Sequence, residues 1–148
     1  MILDTIVARK KEEAAALKQR GIRPPESEMP PDPPRGFMQA LLDEPGVAII
    51  AEAKKASPSK GVIQPDFDPQ KIALNYKRGG AHTMSVLTDQ DFFQGSIDYI
   101  PLVRSTVDLP VLRKDFIIDP LQIKEAAVFG ADAILLIAAI LELSLIHI

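Results

Sequence analysis

Apolar positions recur along this chain with two different periods. Over residues 2–20 they form a helical stripe: Ile2, Leu3, Ile6 and Val7 share one side, while Glu12, Glu13, Lys18 and Arg20 decorate the rest. Gly21 stops that helix. From Arg23-Pro24-Pro25 to Pro33-Pro34 proline imposes extended backbone. A short helix over 36–42 then offers Phe37 and Leu41 for packing, and Pro45-Gly46 turns the chain. Beyond this point the pattern changes to short apolar runs. Val47-Ala48-Ile49-Ile50 reads as a buried parallel strand, and Thr83 to Leu87, Pro110 to Lys114 and Ala133 to Ile137 follow as further strands. Helices separate them. Asp68-Pro69 and Asp119-Pro120 each supply a cap and a first-turn proline, and Ser96 or Asp98 caps a third helix whose first turn must hold Pro101. Gly79-Gly80 and Gly130 close two of the three. Strand and helix alternating in this way predict an α/β protein built of βαβ units, with about four parallel strands.

Charge enters the pattern at two strand ends. In Ala51-Glu52-Ala53-Lys54, side chains alternate across the strand, so Glu52 and Lys54 point to one side. The turn Ser57-Pro58-Ser59-Lys60-Gly61 follows, with hydroxyls and N–H groups able to hold an anion. In the run from Leu112 to Phe116, Leu112, Lys114 and Phe116 share one face, and Arg113 and Asp115 the other. If Leu112 faces the interior, Lys114 enters the same interior as Lys54, and Arg113 and Asp115 pair with flanking helices. Charge is costly to bury at the end of an apolar strand unless it is paired or used. A structural ion pair is the plain alternative for Glu52 and Lys54.

Composition narrows the classes. The chain has 148 residues, 47% hydrophobic and 25% charged, enough apolar material for one core. A net charge of −3 argues against nucleic acid, so cations gathered at two strand ends suggest a local anionic ligand. The absence of cysteine excludes a disulfide or a thiolate nucleophile, and the isolated His82 and His147 suggest no metal centre. His82 is expected to be structural, where the second strand begins. No secretory pattern opens the chain, and the apolar stretch from Ala133 to Leu141 falls short of the roughly 20 residues that span a bilayer. The expectation is a cytoplasmic protein without membrane contact.

The motifs themselves resemble a known family. Ile50-Ala51-Glu52 through Ser57-Pro58-Ser59-Lys60-Gly61, Ser85-Val86-Leu87-Thr88-Asp89 with Phe92-Phe93-Gln94-Gly95-Ser96, Val111 to Asp119, and Gly130 to Ile137 are similar, in order, to the first four strand motifs of indole-3-glycerol phosphate synthase. Ile2 to Lys10 and Pro34-Arg35-Gly36-Phe37 resemble the family's amino-terminal extension. The resemblance implies a partial (β/α)8 TIM barrel: residues 1–46 as a helical extension, and 47–148 as the first half of a barrel that ordinarily takes about 250 residues. It implies the ring closure of a carboxyphenylamino-deoxyribulose phosphate, with loss of carbon dioxide and water, and no cofactor or metal. By the same resemblance Lys114 is the general acid, Lys54 anchors the substrate carboxylate, and Glu52 orients the lysines. Ser57 is a phosphate ligand, and Phe93, Phe116 and Leu135 form the apolar wall. Phe93 and Phe116 read equally well as core residues without it.

The family's later strands, which carry its remaining polar residues and much of its phosphate cradle, have no counterpart here. The chain by itself is therefore expected to be inactive, and to self-associate through open sheet edges. Its ending, Ile140 to Ile148, departs from the polar helix the family shows next; it reads as a truncated frame or foreign tail, or as the start of a genuine apolar helix. Two other functions compete: a non-catalytic phosphate-binding half-barrel, and another phosphate-binding barrel enzyme such as phosphoribosylanthranilate isomerase. The pairing of Lys54 with Lys114 speaks against the isomerase.

Overall fold

A computed structural model describes residues 1–28 and 32–141, so the apolar ending from 142 onward lies outside the described residues. Helix α1 (Ile2–Arg20) and the short α2 (Phe37–Leu42) precede the sheet. After β1 (Ile50–Ala53) comes a small separate hairpin of β2 (Ala56–Ser57) and β3 (Gly61–Val62); β1, β4 (Thr83–Leu87), β5 (Val111–Lys114) and β6 (Ala133–Ile134) form one parallel sheet in the order β1-β4-β5-β6. Helices α3 (Pro69–Arg78), α4 (Tyr99–Thr106) and α5 (Pro120–Val128) follow β1, β4 and β5 in turn. Neighbours in sequence are thus neighbours in space, as a barrel requires. The result is an α/β fold with an amino-terminal helix, the beginning of a (β/α)8 barrel.

Register sorts the side chains. Ala53 pairs with Val86, and Val86 with Arg113, on the face packed by helices; Glu52 pairs with Ser85, and Ser85 with Leu112, on the opposite, inner face. The core lies on the helix side, where Ala53, Met84, Val86 and Val111 meet Ile72, Ile100 and Val103. Local chemistry starts the helices as expected. Asp68 accepts from the N–H groups of Gln70 and Lys71, and Asp119 with Gln122 makes a reciprocal capping box. Asp98 stands before α4 without capping it, because its carboxylate is taken by Arg23 and by the Glu26 N–H.

Three expectations change. The run 47–50 is not a buried strand: β1 starts at Ile50, Val47 is 86% exposed and Ile50 is 49% exposed. Among the described residues β1 is an edge strand, paired on one side alone. The fourth strand is Ala133–Ile134 rather than 133–137, since β6 is the other edge and residues 138–140 turn into a short 3-10 helix. The buried side of α1 is Ile6, Lys10, Ala14 and Leu17, not the stripe beginning at Ile2. His82 stands just before β4, where its ring accepts from the Ile49 N–H at 3.0 Å and meets Glu44 at 3.0 Å.

The turn after β4 depends on a glycine. A Cβ on Gly95 would lie 2.3 Å from the Leu87 carbonyl oxygen and 2.9 Å from that of Asp89, both backbone atoms that no rotamer change can move. Gly95→Ala is expected to cost stability at the upper end of the about 1–3 kcal/mol typical of overpacking. Urea unfolding would show this as a lower midpoint at unchanged slope, and an unmoved midpoint would contradict it.

Candidate active site

Glu52 ends the inner face of β1, and its carboxylate is shared. Oε2 accepts a hydrogen bond from Lys114 Nζ at 3.0 Å, and Oε1 lies 3.4 Å from Lys54 Nζ. The two ammonium groups, delivered by the first and third strands of the motif order, therefore meet on one acid. Each of the three side chains is about one-third exposed, so the cluster faces open space rather than core. The Tyr76 hydroxyl, from α3, donates to the Glu52 carbonyl at 2.7 Å and holds this strand end in place.

Burial disfavours the charged Glu52 carboxylate, but the Lys114 hydrogen bond and charge, with Lys54 behind them, more than offset it and hold the carboxyl below its ordinary value. A depressed value means the pairing is present above the ordinary 4.5 and is lost as pH falls through the lower folded value. The Glu52 side-chain carboxyl, followed by carbon NMR, is expected to titrate with a midpoint under 4.5; a midpoint at or above that would show the pairing to be absent.

Beside this cluster opens a cavity of about 500 Å³. Lys54, Ser57 and Lys60 line its polar side, and Phe93 and Phe116 its apolar one. The first turns of α1 add Ile2, Leu3 and Ile6. The two phenyl rings stand 6.0 Å apart at centroid and tilted by 38°, a separation typical of interacting aromatics. Ser57 belongs to a small hairpin, β2 (Ala56–Ser57) against β3 (Gly61–Val62), which alternation did not reveal because two-residue strands carry no period. Gly61 takes a φ of 65°, left-handed backbone that favours glycine. The Ser57 hydroxyl oxygen accepts from the Lys60 N–H at 3.3 Å, which leaves its own proton free to donate to an anion.

Thus Lys54, Ser57, Phe93 and Phe116 line one cavity, and Glu52 links Lys54 to Lys114 at its edge. Leu135 follows β6, half-buried and not among the residues lining the cavity. Arg113 and Asp115 turn outward, as alternation predicts: Arg113 meets Glu125 and the Gln122 carbonyl of α5, and Asp115 meets Arg113 and Lys10. Ser85, to which sequence alone assigns no role, is in register with Glu52, and its hydroxyl is buried without a hydrogen-bond partner. A second cavity, of about 480 Å³, runs beneath α1. Its cations are already met by carboxylates (Arg20 by Glu125, Arg113 by Asp115), so it is a packing seam.

The family model described as indole-3-glycerol phosphate synthase matches residues 3–147. The chain belongs to the indole-3-glycerol phosphate synthase family. An indole-3-glycerol phosphate synthase of Desulfotalea psychrophila is 65% identical over 143 residues, covering 95% of this chain and 55% of that protein. One of Chlorobium phaeovibrioides is 53% identical over 150 residues, 98% of this chain and 57% of its own length. One of Chlorobium luteolum is 61% identical over 111 residues, 74% and 42% of the two lengths. The chain spans about half the length of these relatives. Among the described residues no helix is long and apolar enough to cross a membrane.

Proposed function

We propose that this chain contributes the acid and the anion-binding side of a site that closes an indole ring, the reaction of indole-3-glycerol phosphate synthase. The substrate is 1-(2-carboxyphenylamino)-1-deoxyribulose 5-phosphate and the product indole-3-glycerol phosphate, a carboxy-lyase step of tryptophan biosynthesis. The observation that carries this reading is one carboxylate, Glu52, held between the amines of Lys54 and Lys114 at 3.4 and 3.0 Å. When the aromatic carbon attacks the ketose carbonyl, its oxygen needs a proton; Lys114 supplies it. Carbon dioxide then leaves from the ring carboxylate, whose C–C bonding pair restores the aromatic ring. The new hydroxyl departs as water with a second proton, while the neighbouring carbon of the new ring loses a proton to form the indole double bond. Lys54 anchors the carboxylate before it is lost, and Glu52 holds both amines and meets the sugar hydroxyls. Ser57 and its loop receive the phosphate. Phe93 and Phe116 take the aromatic ring, and Leu135 extends that wall. Residues 1–46 act as a helical extension, of which Ile2, Leu3 and Ile6 reach the cavity, and the barrel proper begins at 47. A cytoplasmic location goes with a phosphorylated sugar substrate.

Co-expression with the carboxyl-terminal remainder of the Desulfotalea psychrophila relative, in a host that requires tryptophan, tests the reading. Growth without tryptophan is expected. Two soluble halves that form a complex yet yield no indole product would contradict it.

We also infer self-association of the chain on its own, because Ile49 and Ile50 on one sheet edge and Leu136 beside the other are 43–49% exposed. Sedimentation should show mass rising with concentration, and a monomer at every concentration would refute this.

A further inference from the structure

Lys10 has the charge of a solvated helix residue and the burial of a core one. It is 1% exposed, and its ammonium lies 2.8 Å from Glu13, 2.8 Å from Asp89 and 2.9 Å from Asp115. The Asp89 oxygen concerned, Oδ2, lacks a hydrogen bond of good angle, so the ammonium meets it as an ion pair. Burial alone would make Lys10 release its proton more readily; the three carboxylates more than offset that and hold the ammonium above its ordinary value. A lysine so held gives up no proton in neutral solution. Its value lies in what it grips.

Each of the two aspartates fixes one aromatic wall of the cavity. Asp89 Oδ1 accepts from the N–H groups of Phe92 at 2.8 Å and Phe93 at 3.1 Å. Asp115 Oδ1, the atom facing Lys10, also accepts from the N–H of Phe116 at 2.8 Å. One ammonium on α1 therefore ties together the turns after β4 and β5, whose rings stand 6.0 Å apart. The first turns of the same helix line the same cavity with Ile2, Leu3 and Ile6. The anion-binding side is built separately. The Ser57 loop closes on itself, with the Ile63 and Gln64 N–H groups donating to the Lys55 carbonyl at 2.8 and 3.1 Å.

We propose that Lys10 is a positioning residue: it sets the spacing of the Phe93–Phe116 slot for a flat aromatic ring and makes seating of α1 a condition for that slot to form. The slot's purpose rests on the reading of the cavity given above, while the grip on the two turns does not. Removing Lys10 is thus expected to damage recognition of the ring and to spare recognition of the phosphate.

Lys10→Met in the full chain tests both parts. Amide exchange at Phe93 and Phe116 is expected to accelerate by about tenfold or more, with Val86 in β4 unchanged, when a charge-assisted tether is lost. Anthranilate, followed by its own fluorescence, is expected to bind about tenfold more weakly as its aromatic contacts loosen, with inorganic phosphate binding unaltered. Lys10→Arg, which keeps the charge, should recover part of both. If Lys10→Met fails to fold, Lys10→Met with Asp89→Asn removes one buried charge of each sign and should give the same split. Unchanged exchange at the two phenylalanines, or equal acceleration at Val86, overturns the grip. Equal weakening of anthranilate and phosphate overturns the slot. Failure of the unaltered chain to bind anthranilate overturns the slot and the functional reading together, and the exchange measurement, which needs no ligand, still decides the grip.

Discussion

Replacing Lys114 by alanine in a protein of the relatives' full length is expected to lower turnover by about 10²–10⁴, the usual contribution of a positioned general acid. The expectation rests on the place of the amine: it projects from the end of β5 onto the inner face, 3.0 Å from Glu52 and 37% exposed, where a ligand can reach it. Substrate affinity should change far less, because Lys54, Ser57 and the two phenyl rings remain. Lys114→Arg sharpens the test. A guanidinium can keep the pairing with Glu52, yet it does not release a proton at neutral pH. Turnover should therefore stay low although the charge is retained. Lys54→Ala is expected to act mainly on affinity, if that residue anchors the substrate carboxylate as proposed. Unchanged turnover with unchanged affinity in Lys114→Ala would remove the role assigned to it.

The largest effect on stability is expected at Asp132. Its side chain is wholly buried before β6 and meets the guanidinium of Arg104 at 2.8 Å, itself 2% exposed. The same carboxylate accepts from the Arg35 N–H at 2.6 Å and the Val111 N–H at 2.8 Å. It thus joins the chain before α2, helix α4 and the start of β5. Asp132→Ala leaves Arg104 buried and uncompensated, which costs about 3–5 kcal/mol. Removing both charges together, as Asp132→Ala with Arg104→Met, is expected to lose less than removing the acid alone and the base alone would sum to. Urea unfolding measures both. A loss within about 0.5 kcal/mol, the range of an exposed site, would contradict the assignment.

How much of this was legible depended on whether the signal was local. Asp68-Pro69 and Asp119-Pro120 announce their helices because cap and first-turn proline act within a few residues, and both caps form. The second strand, Thr83–Leu87, is recovered in full because it is central, paired on both sides and buried throughout. The strands on either edge differ in extent from the apolar runs that predict them, because such a run says nothing about whether a neighbour is there to pair with it. Alternation placed Lys54 and Lys114 on one face and sent Arg113 and Asp115 to the other. It could not show that both amines converge on Glu52, which depends on the pairing of β1 with β4 and of β4 with β5. Lys10 was invisible for a similar reason. Within its own helix it is one charge among several, and the acids that bury it follow strands far along the chain.

Nitrogen-15 NMR of the lysine side chains during titration with 1-(2-carboxyphenylamino)-1-deoxyribulose 5-phosphate tests the shared site most directly. The Nζ signals of Lys54 and Lys114 are expected to shift together along one saturating curve, as a single bound anion displaces or joins Glu52 between them. A shift of one signal without the other, or two curves with separate midpoints, would show that the amines do not serve one ligand.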